Sequence, residues 1–254
     1  MPDIEQTIEK LWNFRSEGIQ LPKKWEVNLD FSSSLQVQLG ILNRRLEQGE
    51  ELAGWKIGLT SIRVRERLGT NDQPFGYLLK SGVQDNGGNI SLSSIAEGAG
   101  IENELCFTIG ETFPTSEVTA EIARKSTRAV AAGMEINEFR TDGKDFGLLV
   151  ADDLAQWGIV PGKEQLLTSD FKSDDVISTL TRNGEIQSDS LGRDCIDDHF
   201  VSLAVLANTL GKFGMRLESE QKVITGSFSN HKVKEPGHWR ADFGAIGSVE
   251  IEFE

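Results

Sequence analysis

Cysteine is scarce in this chain: there are two in 254 residues, Cys106 and Cys195, far apart. They match neither a zinc-binding spacing nor a disulfide framework, and they lead us to expect a reducing cytoplasm. Histidine is almost as rare. His199, His231 and His238 show no metal-ligand spacing, which leaves surface or packing roles. No apolar run approaches the roughly 20 residues of a membrane-spanning helix. The opening MPDIEQTIEKLW is acidic rather than basic-then-apolar, so no secretory leader is expected. Positive charge is in deficit, with 26 Lys and Arg against 40 Asp and Glu and a net charge of −14. Nucleic acid and anionic membranes would be repelled. The densest basic group, Arg63, Arg65 and Arg67, falls on a short predicted helix beside Glu66 and reads as a solvated face. Nucleotide fingerprints, the Walker sequence and GxSxG are all missing, so Ser/His/Asp catalysis has no support.

What is present is an ordinary globular composition, 38% hydrophobic and 26% charged. It suits one large domain, or a core with a small helical appendage. Ile4, Ile8, Leu11 and Trp12 have helical spacing, and Gly18 and Pro22 are expected to end that helix. A second helix is expected after the serines at 32–34, with Leu35, Leu39, Leu42 and Leu46 in a stripe. Together they read as an N-terminal helical cap or oligomerisation element over 1–50. From Gly54 the texture changes to short strands and glycine-rich turns. GWKIGL (54–59), FGYLL (75–79) and GMEINEF (133–139) read as strands, and Ser61 is placed to cap a short helix ending at Gly69. Ser116 is expected to open a helix over about 116–130, and another is expected over about 197–213. Asn183-Gly184 signals a hairpin, and KVITGSF and GSVEIEF read as closing strands. The order of elements predicts an α+β fold.

Chemistry concentrates in IENELCFTI (101–109). Ile101, Leu105, Phe107 and Ile109 share one strand face with Asn103, while Glu102 and Glu104 share the other with Cys106 and Thr108. Residues i and i+2 lie about 6.5–7 Å apart along a strand and point the same way. Two carboxylates held like this repel unless a cation or a proton compensates them, and a hard divalent cation suits oxygen ligands. A solvent-facing strand explains the same spacing. Glu135 supplies a third carboxylate on another strand. Glu138 would point to the opposite face and has Arg140 within reach as a partner. Asp152 and Asp153 form a further acidic pair, readable as a loop or a helix cap. Lys56, flanked by Trp55 and Ile57, either snorkels to water or is held inward by an anion.

The segments GWKIGLT with RLG following, IENELCF, GMEINEFR, VADD and GSF…EPGHWRADFGAIGSVEIEF together resemble the 2-keto-4-pentenoate hydratase family. That family lies within the fumarylacetoacetate hydrolase superfamily, with the 2-oxohept-3-enedioate hydratases and 4-oxalocrotonate decarboxylases. The resemblance runs from about residue 50 to the C-terminus. It implies a mixed β-roll catalytic domain over 51–254 and a homo-oligomer, with association to an aldolase or decarboxylase of the same pathway. It also implies a Mg²⁺ or Mn²⁺ site on Glu102, Glu104 and Glu135. Lys56 falls on the lysine expected to meet the substrate carboxylate or assist proton transfer. Ser227 falls near the bound acid, and Asp153 is the candidate proton carrier. The implied activity is hydration of a 2-hydroxy-2,4-dienoate to a 4-hydroxy-2-oxo acid in meta-cleavage aromatic catabolism. The alternatives are decarboxylation of a vinylogous 2-oxo acid, or a non-catalytic or repurposed family member. The chain departs from the pattern at Pro74, where an acid is common, and at Asp153-Leu154-Ala155, where Asn-Ala-Ser is common. It departs again at Asp198-His199-Phe200 and Val205. These changes touch the expected pocket wall and proton-transfer groups and leave the three glutamates intact.

Overall fold

The computed structural model describes residues 3–16, 21, 25, 27–95, 98–141 and 144–254. Two helices come first, α1 (Ile4–Ser16) and α2 (Phe31–Glu47). Gly18 and Pro22, expected to end the first, lie outside the described residues. α2 is capped by Asp30, whose side chain accepts from the Ser33 amide, so the serines expected ahead of the helix form its first turn. Next come β1 (Leu52–Ile57), α3 (Ile62–Leu68), β2 (Phe75–Leu79), β3 (Asn89–Ile90) and β4 (Ala99–Ile109). Ser61 precedes α3 but makes no side-chain cap. Asp197 takes that role instead, accepting from the Ile62 amide at 2.7 Å.

The helix expected over 116–130 is only α4 (Ala120–Ser126), capped by Thr119 rather than opened by Ser116. Its end passes directly into β5 (Thr127–Glu138), because Ala129, Val130, Ala131 and Ala132 are needed in the sheet beside β4. After β5 come α5 (Phe146–Ala151), β6 (Gln156–Pro161) and β7 (Gln165–Leu166). The hairpin β8 (Ile177–Arg182) and β9 (Glu185–Leu191) turns on Asn183-Gly184, both at positive φ as a two-residue hairpin turn requires. A short α6 (Gly192–Cys195) leads to α7 (His199–Gly211), and the chain ends with β10 (Lys222–Val233), β11 (Gly237–Asp242) and β12 (Ser248–Phe253).

Seven strands form one strongly curved sheet, ordered β2-β1-β10-β4-β5-β6 with β7 added to β5. Its two edges approach where Val83, just after β2, bridges to Ile159 of β6, so the sheet is nearly a closed barrel. A second sheet, β3-β12-β11-β8-β9, is linked to the first by Asn103 of β4, which donates to Ser178 of β8 at 2.6 Å.

The pleat divides the barrel's residues into two sets. Outward-facing Trp55, Phe75, Ile101, Leu105, Phe107, Met134 and Val223 belong to the large core. Phe107 meets His199 and Phe200 of α7 at ring distances of 5.5 and 5.6 Å, which gives His199 a packing role. Inward-facing Leu78, Cys106, Ala131, Ile159 and Ile224 form a separate small core. The interior is narrow, so compact side chains fill it.

Gln38 of α2 ties the helical segment to this barrel. Its buried side-chain amide donates to the carbonyls of Phe75 in β2 at 2.8 Å and Val150 in α5 at 2.7 Å. Gln38→Leu removes both buried bonds and leaves the Val150 carbonyl with the Asp152 amide alone. It is expected to cost about 2–4 kcal/mol, read as a lower urea midpoint at unchanged slope; a shift below about 0.5 kcal/mol would show that the contact is dispensable.

Candidate metal centre

The mouth of the barrel is set by strand register. Glu102 of β4 lies opposite Glu135 of β5, and Glu104 lies opposite Gly133, so all three carboxylates project from the inner face. Oxygens of Glu102, Glu104 and Glu135 lie within 4.8 Å of one another. Glu104 and Glu135 are 3% and 2% exposed, which rules out the solvent-facing strand. Glycine supports the arrangement twice. Gly226 has φ +115, and a Cβ there would sit 2.1 Å from the Thr60 hydroxyl; its amide donates to Glu104 Oε2 at 2.8 Å. A Cβ on Gly76 would meet both the Lys56 stem and Asp153 Oδ1 at 2.9 Å, so its absence lets those side chains pass.

Lys56 points inward from β1. Its ammonium bonds Glu135 Oε1 and donates to the Leu154 carbonyl at 3.0 Å. Of the two readings open to it, the structure selects the inward one. Asn137 donates to Glu135 at 2.7 Å, and Asn230 bonds Glu102. The roles of these two amides and of the Gly226 amide are legible only once the register is known.

The electrostatics follow from burial. Desolvation pushes the Glu104 carboxyl well above its ordinary value, and Glu135 and Glu102 add to the push. Glu135 is raised to about 7 by burial, against the pull of Lys56. Burial opposes the Lys56 charge, but Glu135, Glu102 and Glu104 outweigh it and hold the ammonium above its usual pKa. One ammonium faces three carboxylates, so the set carries uncompensated negative charge. That is the donor chemistry of a divalent oxygen-ligand site. Oxygens on a single Mg²⁺ lie at most about 4.2 Å apart, so only small side-chain movements separate this cluster from ligation. The residues fit the metal.

The cavity at this mouth has a volume of about 290 Å³. Lys56, the three glutamates and Ser227 line it together with Thr60, Ser61 and Cys195, whose place at the site no motif signals. Asp153 lies behind the wall. It faces a second cavity of about 310 Å³ in the seam between β2 and β6, while the next residue, Leu154, faces the first. Asp153, Leu154 and Ala155 all have positive φ (61°, 50° and 59°), a strained left-handed turn that turns adjacent side chains to opposite cavities. Burial raises the Asp153 carboxyl to about 7 even though Arg15 and the Tyr77 amide oppose it. Asp152 behaves differently. Burial is outweighed by Arg15 and Arg140, whose Nε atoms reach its two oxygens at 2.7 and 2.8 Å and keep it ionised. Glu138 pairs with Arg140 at 2.7 Å and takes no part in the glutamate cluster.

No protein-family model matches the chain. Among curated proteins, it is 27% identical over 214 residues to a 2-keto-4-pentenoate hydratase of Paraburkholderia xenovorans (strain LB400), covering 83% of this chain and 79% of the relative. Among solved structures, it superposes on 4-oxalocrotonate decarboxylase from Pseudomonas putida G7, complexed with magnesium and adipate. That match has TM-score 0.89 at 19% identity and covers 99% of this chain and 97% of the other. A putative fumarylacetoacetate hydrolase family protein from Yersinia pestis CO92 matches with TM-score 0.63 at 11% identity, over 80% of this chain and 94% of that one. In sequence the chain is thus similar to 2-keto-4-pentenoate hydratase, and in fold to 4-oxalocrotonate decarboxylase and to a fumarylacetoacetate hydrolase family protein.

Proposed function

We propose that this chain is a divalent-metal-dependent hydro-lyase adding water to a 2-hydroxy-2,4-dienoate of the 2-keto-4-pentenoate type, in meta-cleavage catabolism of aromatic compounds. The observation that carries the reading is the buried three-glutamate cluster with Lys56 at the barrel mouth, in a chain whose sequence relatives bear hydratase names. Glu102, Glu104 and Glu135 are the proposed holders of Mg²⁺ or Mn²⁺. When bound, the ion would supply a Lewis acid for the substrate carboxylate and 2-oxygen, stabilising negative charge that builds there. Residues 1–50 act in this proposal as a helical cap on the catalytic domain at 51–254, and copies of the chain associate.

The remaining work falls to the protein's own groups. Lys56 leaves Glu135 to neutralise the substrate carboxylate, and Ser227 orients the acid head. The 2-hydroxyl proton leaves as C5 gains one, giving an enone. Water then delivers its hydroxyl to C4 while C3 takes a proton, so one water is added in total. Asp153, behind Lys56, is the proposed reservoir for these protons. A second reading, decarboxylation of a 4-oxalocrotonate-type diacid, has in its favour the near-complete overlap with the decarboxylase fold. It requires a counter-charge for a second carboxylate.

An ultraviolet assay separates the two. Purified protein with Mg²⁺ or Mn²⁺ should consume 2-hydroxypenta-2,4-dienoate and release no CO₂ from 2-oxohex-3-enedioate; CO₂ release with the dienoate untouched would select decarboxylation. Glu104→Gln should weaken metal affinity at least ~100-fold, more than the 10–100-fold typical of a lost outer-shell partner. Unchanged calorimetric affinity would remove Glu104 from the site.

The Asp153 proposal predicts a pH limb. A carboxyl raised to about 7 is protonated below that pH and ionised above it. Activity that needs the acid form should therefore fall as pH rises through about 7, and Asp153→Asn should abolish that limb while lowering turnover. A limb that persists in the variant would assign it to another group.

A further inference from the structure

The left-handed turn behind the metal centre is bracketed by one guanidinium. Asp153, Leu154 and Ala155 are three successive non-glycine residues at positive φ, a backbone that persists only where its surroundings over-determine it. Arg140 Nη2 donates to the carbonyls of Asp152 and Gln156, each at 3.2 Å, and these are the residues on either side of the three. Its Nε donates to Asp152 Oδ2 at 2.8 Å, and its Nη1 is held by Glu138 at 2.7 Å. Arg15 arrives from α1 and takes the other carboxylate oxygen, with Nε on Asp152 Oδ1 at 2.7 Å and Nη2 on the Asp152 carbonyl at 2.9 Å. Its Nη1 donates to the Tyr77 hydroxyl at 2.8 Å, and the Tyr77 amide donates to Asp153 Oδ1 at 2.8 Å. Asp152 is buried, so the clamp closes away from water.

The turn presents the Leu154 carbonyl to Lys56, whose ammonium donates to it at 3.0 Å and also bonds Glu135. When Lys56 leaves Glu135 for a substrate carboxylate, the Leu154 carbonyl is the partner it keeps. Relaxation of the turn to right-handed backbone would rotate the peptide plane between Leu154 and Ala155 and take that carbonyl off the ammonium. We propose that Arg140 and Arg15 are positioning residues for Lys56: by pinning the turn they fix the carbonyl that steers the ammonium between Glu135 and the bound acid. Neither arginine lines the cavity at the metal centre, so both act through the turn. Through Arg15, α1 belongs to the working parts of the site. The inference rests on the acid-binding role proposed for Lys56 and adds the residues that aim it. Lysine cannot stand in for Arg140, because a single planar fork serves a carboxylate and two carbonyls at once.

A double-mutant cycle tests this indirect action without needing turnover. Calorimetry of 2-oxopentanoate binding to the Mg²⁺-loaded full chain compares the parent, Arg140→Lys, Lys56→Met and the pair. Arg140→Lys keeps the charge and loses the fork, and should weaken binding at least ~10-fold, the lower end of a lost outer-shell partner. In the Lys56→Met background the same change should alter affinity by less than about twofold, because no ammonium remains to be aimed. Equal losses in the two backgrounds would show general damage to the fold and overturn the inference, as would parent affinity in Arg140→Lys. Arg15→Gln, at the end of α1, gives a second cycle with the same expected pattern. If the Lys56→Met chain fails to fold or binds too weakly to measure, a crystal structure of Arg140→Lys decides. The Leu154 carbonyl should be displaced from Lys56, and an undisturbed 3.0 Å contact would overturn the inference. The expected cycle without dienoate turnover would leave the inference standing and remove the hydratase reading. If the parent bound no 2-oxopentanoate, the acid-binding role of Lys56 would fail and the inference with it.

Discussion

Lys56 meets Glu135 inside a barrel mouth that also contains Glu102 and Glu104, and much of the surrounding structure can be understood as holding those four charges at close quarters. Like charges this near, at this burial, are unfavourable unless something positive is added. Lys56 supplies one charge, and the amides of Gly226, Asn137 and Asn230 supply dipoles. The remaining imbalance is what a divalent ion would neutralise. A cluster maintained against its own repulsion is evidence of use, since a barrel this narrow would be more stable with apolar residues at the same positions.

The interior is graded along its axis. Charged groups stand at the mouth, and Leu78, Cys106, Ala131, Ile159 and Ile224 plug the middle. At the far end Lys222 meets Glu164 at 2.9 Å, and Thr108 donates to the same carboxylate at 2.7 Å. The apolar plug separates the mouth from this second polar group. The larger core outside the barrel carries most of the apolar burial, so the mouth can tolerate strain: the left-handed turn at 153–155, the close approach at Gly76 and the desolvated carboxyls. Instability at a functional site is held in place by a well-packed surround.

Several of these features were legible in the sequence, and the reasons for the others are physical. Period-two alternation put Glu102 and Glu104 on one face, since local backbone geometry alone decides that. Alternation could not say whether the face was wet or buried. That depended on β4 being covered by β10 and β5 on either side and on the barrel curling shut. Glu135 became a partner only through the pairing of Glu102 with Glu135, a long-range register that no local window contains. The helix expected over 116–130 was cut short because residues from Thr127 onward bury themselves as strand, tertiary demand overriding helical pattern. Ser61 lost its capping role to Asp197, which is remote in sequence. Asp153, adjacent to Asp152, occupies a different environment because the backbone is left-handed there, a conformation that non-glycine residues seldom announce.

The uncompensated charge at the barrel mouth is proposed to hold a divalent cation. An anomalous-scattering map from crystals grown with Mn²⁺ tests it most directly. The account predicts a strong peak bounded by oxygens of Glu102, Glu104 and Glu135. A map with Mn²⁺ bound elsewhere and none at these carboxylates, with Lys56 still seated on Glu135, would contradict it.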